Sequence, residues 1–277
     1  MGALVAIYGN KSTDLVELID DCQSRISRMI GNAFHPYKIQ QVHATITGIG
    51  QISSLKSQKP GMNEQDSSQV EIDIDVDGLL HYLLKSGVLP FQVQIGGYQK
   101  RNYPFLSRGT SPYERSFSLR DGKALIIGWP IRGKPNTNQN TSFIELVHES
   151  KIYPLTLDDI RQAARGFGFL HKYYQNINDF DNDFYFRIGL FDTTAISVEQ
   201  QEAVENNIRT FLSDSIPVII EINKHNLFFV FGDQETLPPD STKTYSVSDP
   251  SISKNILGQI HPQTMVKVNH KNTGGHK

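Results

Sequence analysis

His43-Ala-Thr45-Ile-Thr-Gly48 sets a histidine and a threonine two residues apart in a run that reads as a short strand. Side chains alternate faces along a strand, so His43 and Thr45 point the same way. A group that titrates near neutral pH then stands beside a hydroxyl. Such a pair can hold and protonate a phosphate oxygen. Six residues of this kind also occur as surface decoration, so the surrounding elements must decide between the two readings.

A second cluster lies in residues 98–120, where Lys100, Arg101, Arg108, Arg115 and Arg120 alternate with Tyr98, Tyr103, Phe105, Tyr113 and Phe117. Basic groups interleaved with aromatics suit a nucleotide or a flexible single strand, through phosphate contacts and base stacking. The alternatives are a solvated loop tacked down by its aromatics and a protein-contact surface. Arg187, within Phe-Arg-Ile, is a strand residue that faces either a cleft or solvent. Asp73, Asp75, Asp77 and Gly78 match the start of a calcium loop, but the twelfth position is Leu84, so a helix capped by Asp77 is the expectation. One cysteine and no HxxH or HxH spacing before the tail predict neither a metal site nor a cofactor.

The chain has 277 residues, is 38% hydrophobic and carries a net charge of −2. This is a globular composition, without the strongly basic footprint of a duplex DNA binder. No apolar run is long enough to span a membrane. The single Cys22 and the lack of a secretory start after Met1 predict a cytoplasmic protein.

The positioning elements follow from periodicity and caps. Leu4–Tyr8 reads as a buried strand, and Ser12 or Thr13 caps a helix stopped by Gly31. Residues 37–49 read as the motif strand, 51–69 as an exposed loop and 79–85 as a short helix. Strands are expected at 91–95, 123–129 and 143–147, then a helix from Thr156 or Asp158 to about Tyr174. Residues 184–191 read as a strand, and Ser197-x-x-Gln200 is a capping box for a helix ending near Ser213. Strands at 217–222 and 227–231 follow. Residues 250–277 read as a loosely ordered tail.

Strand, helix and strand thus recur near both ends of the chain. Aligning Gly48 with Gly232 sets Leu227 opposite His43 and Phe229 opposite Thr45. The predicted fold is α+β: two duplicated βαβ-like lobes with antiparallel sheets around a central concave cleft, related by a pseudo-twofold axis. A single bilobal domain is expected over 1–249, with lobe one at about 35–150 and lobe two at about 3–34 and 151–249, strand exchange being allowed.

At this point the chain resembles the two-histidine phosphoesterase superfamily, which includes RNA 2′,3′-cyclic phosphodiesterases and 2′-5′ RNA ligase-like proteins. The resemblance spans about residues 3–240 and rests on His43-Ala-Thr45-Ile, on Pro90-Phe91-Gln-Val-Gln-Ile-Gly96-Gly97 and on Asp233-Gln-Glu-Thr-Leu-Pro238. It implies two lobes that each give one His-x-Thr or His-x-Ser motif to a cleft. It also implies metal-independent hydrolysis of a 2′,3′-cyclic phosphate or of 2′-5′-linked RNA or nucleotide ends. The second motif is degenerate here, since Leu227 and Phe229 occupy its aligned positions. His225, two residues earlier, either slips into the cleft or lies in a turn. The candidate catalytic residues are therefore His43, Thr45 and His225. Tyr98, Arg101, Arg115, Arg187, Leu227 and Phe229 are the candidate ligand contacts, and Tyr185 is one of several tyrosines that could replace a missing histidine. A binding module for a nucleotide or small ligand, or a protein-interaction domain, is the alternative to an enzyme.

Overall fold

The computed structural model describes residues 2–49, 74–133, 141–171 and 179–260. In chain order its elements are β1 (Gly2–Ala6), α1 (Thr13–Ile30), β2 (Phe34–Pro36), β3 (Ala44–Ile49), α2 (Val76–Lys85) and β4 (Phe91–Ile95). Next come α3 (Pro112–Arg115), β5 (Phe117–Arg120), β6 (Lys123–Ile131), α4 (Phe143–Glu149), α5 (Thr156–Gly166) and β7 (Phe184–Phe191). The last are α6 (Val198–Asp214), β8 (Val218–Ile222), β9 (Leu227–Phe231), β10 (Lys243–Ser246) and α7 (Ile252–Ile260). The fold is α+β, as expected, with one large antiparallel sheet in the order β10-β9-β1-β3-β7-β6-β4-β8. β2 pairs with β7, and β5 with β6.

Two features shape this sheet. First, β8 and β9 lie six strand positions apart, roughly 29 Å along a flat sheet, yet only residues 223–226 join them. Five peptide steps reach about 17 Å at most, so the sheet is curved. Second, β3 and β7 share a single Cα pair, Ala44 with Phe186, whereas β6 and β7 pair along most of their length. This seam divides β10, β9, β1 and β3 from β7, β6, β4 and β8. Strand β1, placed in the other lobe from sequence, is thus the direct neighbour of β3.

Strand alternation gives each face its character. Leu4, Ala6, Ala44, Ile46, Phe184, Phe186, Leu227 and Phe229 belong to the main core with apolar residues of α1, α2, α5, α6 and α7. The opposite face carries two smaller clusters. One holds Val5, Tyr8, Val230 and Leu237, the other Tyr98, Ile127, Trp129, Ile131 and Tyr153. His43 and Thr45 lie on this second face, out of register with Ala44.

Several local expectations change. Residues 143–147 are helical, not extended: Ser142 accepts from the Glu145 N–H and Glu145 reaches back to the Ser142 N–H. The motif strand begins at Ala44, after a separate β2 and a short 3-10 turn. Helix α2 is capped by Asp75 rather than Asp77, through the Gly78 N–H. Helix α5 ends at Gly166, well before Tyr174. Within the supposed tail, Ile252 and Ile256 of α7 are buried in the main core. The loop expected at 51–69 and residues 261–277 lie outside the described residues.

Candidate functional site

His43 stands at the mouth of β3. Continuing the register of the Ala44–Phe186 pair sets His43 beside Arg187 and Thr45 beside Tyr185, on one face. Leu125 and Ile127 of β6 lie next to Arg187 and Tyr185. A strip with one histidine, one threonine, one tyrosine and one arginine therefore crosses the seam between the two small apolar clusters. Each of the four side chains is partly exposed.

The chain on either side of β3 holds the imidazole. Nδ1 of His43 lies 2.7 Å from the carbonyl oxygen of Gln41. A carbonyl can only accept, so Nδ1 carries the proton and Nε2 is left as a lone-pair acceptor. The ring of Tyr8 packs against that of His43 at 5.6 Å between centroids. Tyr8 reaches this position because Ile7 takes a left-handed conformation, φ 61, which is costly for a β-branched residue. A hydrogen bond from the Ile7 N–H to the Asn226 carbonyl holds it there.

Burial lowers the His43 pKa to about 4, reinforced by the charges of Arg187 and Lys11 and opposed by the Gln41 bond. The ring is thus neutral at neutral pH, a base and acceptor rather than an acid. Lys11 follows the Gly9 turn and donates to the Gly9 carbonyl at 2.9 Å; burial lowers its pKa to about 8. Arg187 and Lys123 both donate to one oxygen of Glu235, each at 2.9 Å. The two cations draw the Glu235 carboxyl down to about 2.

A stability consequence follows. A histidine kept neutral in the fold loses protons relative to the unfolded chain, so stability falls as pH drops from about 6.5 to about 4. The loss from His43 is on the order of 3 kcal/mol. Denaturant titrations at the two pH values should show it, and His43→Gln should remove most of that component.

The other expected site residues are used elsewhere. Leu227 and Phe229 pair with Ala6 and Leu4 and point into the main core, away from His43. They form no ligand wall. His225 is exposed in the β8–β9 turn, where its N–H donates to the Asn223 side chain. Its place is the turn, not the strip. Tyr98 is 1% exposed and packs edge-on against Trp129 at 4.8 Å. Arg101 pairs with Glu149 at 3.0 Å, both side chains 2% exposed. Arg115 pairs with Asp183 at 3.1 Å. Much of the 98–120 segment is therefore folded inward: Tyr98, Tyr103 and Phe105 belong to the second small cluster and Phe117 to the main core, instead of forming a stacking platform.

The anchors of that segment include groups with no legible sequence signal. Asp183 accepts from Ser107, Trp129 and Arg115, and Asp181 from Arg108. His171 is buried 3.8 Å from Asp181, and burial with the nearby Arg161 and Arg108 charges keeps it neutral. Its ring lies 6.5 Å from that of Tyr185, behind the strip. Arg161 is 1% exposed and fills the seam itself. It donates to the carbonyls of Thr45 and Ile46 on one side and of Asp181 and Asp183 on the other, at 2.8–3.1 Å. Beyond it, Gly48 and Leu170 exchange backbone bonds so closely that a Cβ at Gly48 would lie 2.9 Å from the Leu170 oxygen.

A cavity of about 850 Å³ lies apart from the strip, lined by Tyr82, Pro90, Gln92, Arg132, Asp159 and Glu221 among others. It contains no histidine. Among the described residues, no group of three or more His, Cys, Asp or Glu could hold a metal ion, and no helix is long and apolar enough to cross a membrane. No protein-family model matches this chain, and no curated protein or solved structure matches it significantly.

Proposed function

We propose that the β3–β7 strip binds the phosphate end of a nucleotide or short single-stranded RNA. In this reading the chain is a two-histidine phosphoesterase-like protein in which Tyr185-x-Arg187 stands where a second His-x-Thr motif would. The observation that supports it is the Ala44–Phe186 pair, whose continued register sets His43 and Thr45 of β3 on one face with Arg187 and Tyr185 of β7, Arg187 close enough for its charge to act on His43. Each side of the seam then contributes one motif, in keeping with duplicated lobes related by a pseudo-twofold axis.

The chemistry follows from the groups present. The Thr45 hydroxyl and the Arg187 guanidinium donate to non-bridging phosphate oxygens, Arg187 in the two-pronged manner that suits a phosphate. Neutral His43 accepts a proton at Nε2. Opening a 2′,3′-cyclic phosphate needs both a base and an acid, and each is worth roughly 10²–10⁴ in rate. The strip supplies the base, while its mirror position holds a tyrosine instead of a second histidine. Binding therefore outruns hydrolysis. A hydrolytic reading keeps one supporting observation, the free lone pair of His43: water gives its proton to Nε2, its oxygen bonds to phosphorus, and the departing 2′-oxygen takes a proton from solvent or Tyr185.

Calorimetric titration of uridine 2′,3′-cyclic monophosphate in EDTA tests the proposal. Wild-type protein should bind it, uridine should bind at least tenfold more weakly, and Arg187→Gln should lose about 10-fold to 100-fold in affinity. Equal affinity for uridine and its cyclic phosphate, or an unchanged Arg187→Gln variant, would refute it. Product analysis of the same mixtures separates binding from turnover.

A further inference from the structure

The anion site next to His43 is already filled, by the protein itself. One oxygen of Glu235 receives the ammonium of Lys123 and the guanidinium of Arg187, both at 2.9 Å. The two cations are mostly covered, each side chain 20% exposed, whereas that of Glu235 is 50% exposed. Tyr37 is nine-tenths buried beside them, its hydroxyl interacting with Arg187 and close to Glu235, with no acceptor for its own proton. Two mostly covered cations share one carboxylate, and the Tyr37 hydroxyl lacks an acceptor, so this corner is short of negative charge and of one acceptor.

The segment that delivers Glu235 is fixed on its other side. Gln41 donates to the Thr236 carbonyl at 2.6 Å, and the Tyr8 hydroxyl to the Leu237 carbonyl at 2.9 Å. Leu237 is buried on the small cluster beside Val5, in a left-handed conformation of φ 49. Gln41 and Tyr8 are also the residues that hold His43. The backbone of this segment is thus anchored on the flank of the imidazole, while the Glu235 side chain is half exposed to solvent.

We propose that Glu235 is an internal substitute for the ligand's phosphate: its carboxylate fills an anion seat made by Lys123 and Arg187 with the Tyr37 hydroxyl at its edge, and a phosphate ester enters by displacing it. The inference rests on the phosphate-ester reading of the strip and adds a competing residue to it. The exchange is favourable on physical grounds. A half-exposed carboxylate regains its hydration when it leaves its ion pairs, which offsets part of their loss. A phosphate offers oxygens to both cations at once and a further acceptor for Tyr37. Glu235 also sets selectivity, because a neutral ligand cannot repay the loss of the internal anion.

Titrating uridine 2′,3′-cyclic monophosphate and inorganic phosphate into wild-type, Glu235→Gln and Glu235→Ala protein tests the inference. Both variants should bind both anions about threefold to tenfold more tightly, with unchanged circular dichroism. Wild-type binding with unchanged or weaker binding by the variants would overturn the inference, making Glu235 a support for Arg187 instead of a rival to the ligand. Absence of binding by all three proteins would defeat the phosphate-ester reading itself and the inference with it.

Discussion

Replacing Arg161 with leucine is expected to destabilise the fold by about 3–5 kcal/mol, because it deletes a buried charge and strands its partners. The four carbonyls that Arg161 satisfies lie on both banks of the seam, and β3 and β7 bond to each other at only one position there. The guanidinium does the work that ladder hydrogen bonds do elsewhere in the sheet. Buried carbonyls left without a donor cost free energy individually, and the Asp181 carboxylate 3.5 Å away loses a counter-charge. Arg161→Lys should recover little, since one ammonium cannot span four acceptors in two directions. Thermal unfolding should fall by roughly 10 °C for the leucine variant. Arg120→Ala, a 58% exposed side chain, should stay within about 0.5 kcal/mol of wild type. A leucine variant as stable as wild type would mean that the seam is held by packing alone.

The second large effect concerns His43 itself. Its pKa near 4 reflects burial first and then two neighbouring cations. A phosphate seated on Arg187 beside the ring accepts from a protonated Nε2. An opposite charge within a few ångströms raises a pKa by about 1–3 units, which carries His43 to about 6. Binding then takes up a proton between those two values. Affinity for uridine 2′,3′-cyclic monophosphate should accordingly fall about 50-fold between pH 4 and pH 7, since a two-unit shift is worth at most about 10²-fold and half of the free rings are already protonated at pH 4. The ligand does not titrate in that window. His43→Gln should flatten the dependence while leaving the Arg187 contribution in place. A wild-type affinity independent of pH would remove the imidazole from the binding site.

Much of the fold was legible because it is local. Alternating apolar residues marked 91–95 and 184–191, a continuous apolar run marked 227–231, and the Ser197 capping box marked α6. The failures have identifiable causes. Phe143-Ile-Glu-Leu-Val is a short apolar run that periodicity cannot assign, although Ser142-x-x-Glu145 carried the same box signal as Ser197. In α7, Ile252, Ile256 and Ile260 keep helical spacing, but polar neighbours hid it.

The candidate site divides in the same way. His43, Thr45 and Arg187 were readable from residue type and strand parity. The partner strand was not, because aligning Gly48 with Gly232 selected β9, which β1 separates from β3 in the sheet. Strand order is a long-range property that spacing does not encode. The same holds for Arg101, Arg115 and Tyr98, whose partners Glu149, Asp183 and Trp129 lie far away in sequence. Nothing in the spacing of Arg161 or Glu235 marks them; only the seam and the pairing with Lys123 and Arg187 give them partners.

The central claim is that a phosphate sits at His43, and the ring's own protonation state reports it most directly. Nitrogen-15 spectra of histidine-labelled protein near pH 5 should show His43 as a neutral ring with its proton on Nδ1. The resonance is assigned by its loss in His43→Gln, as one of the nine histidines of the chain. On saturation with uridine 2′,3′-cyclic monophosphate, that ring should move to the doubly protonated form while the others hold. A His43 ring that stays neutral and unshifted while the ligand binds would contradict the account.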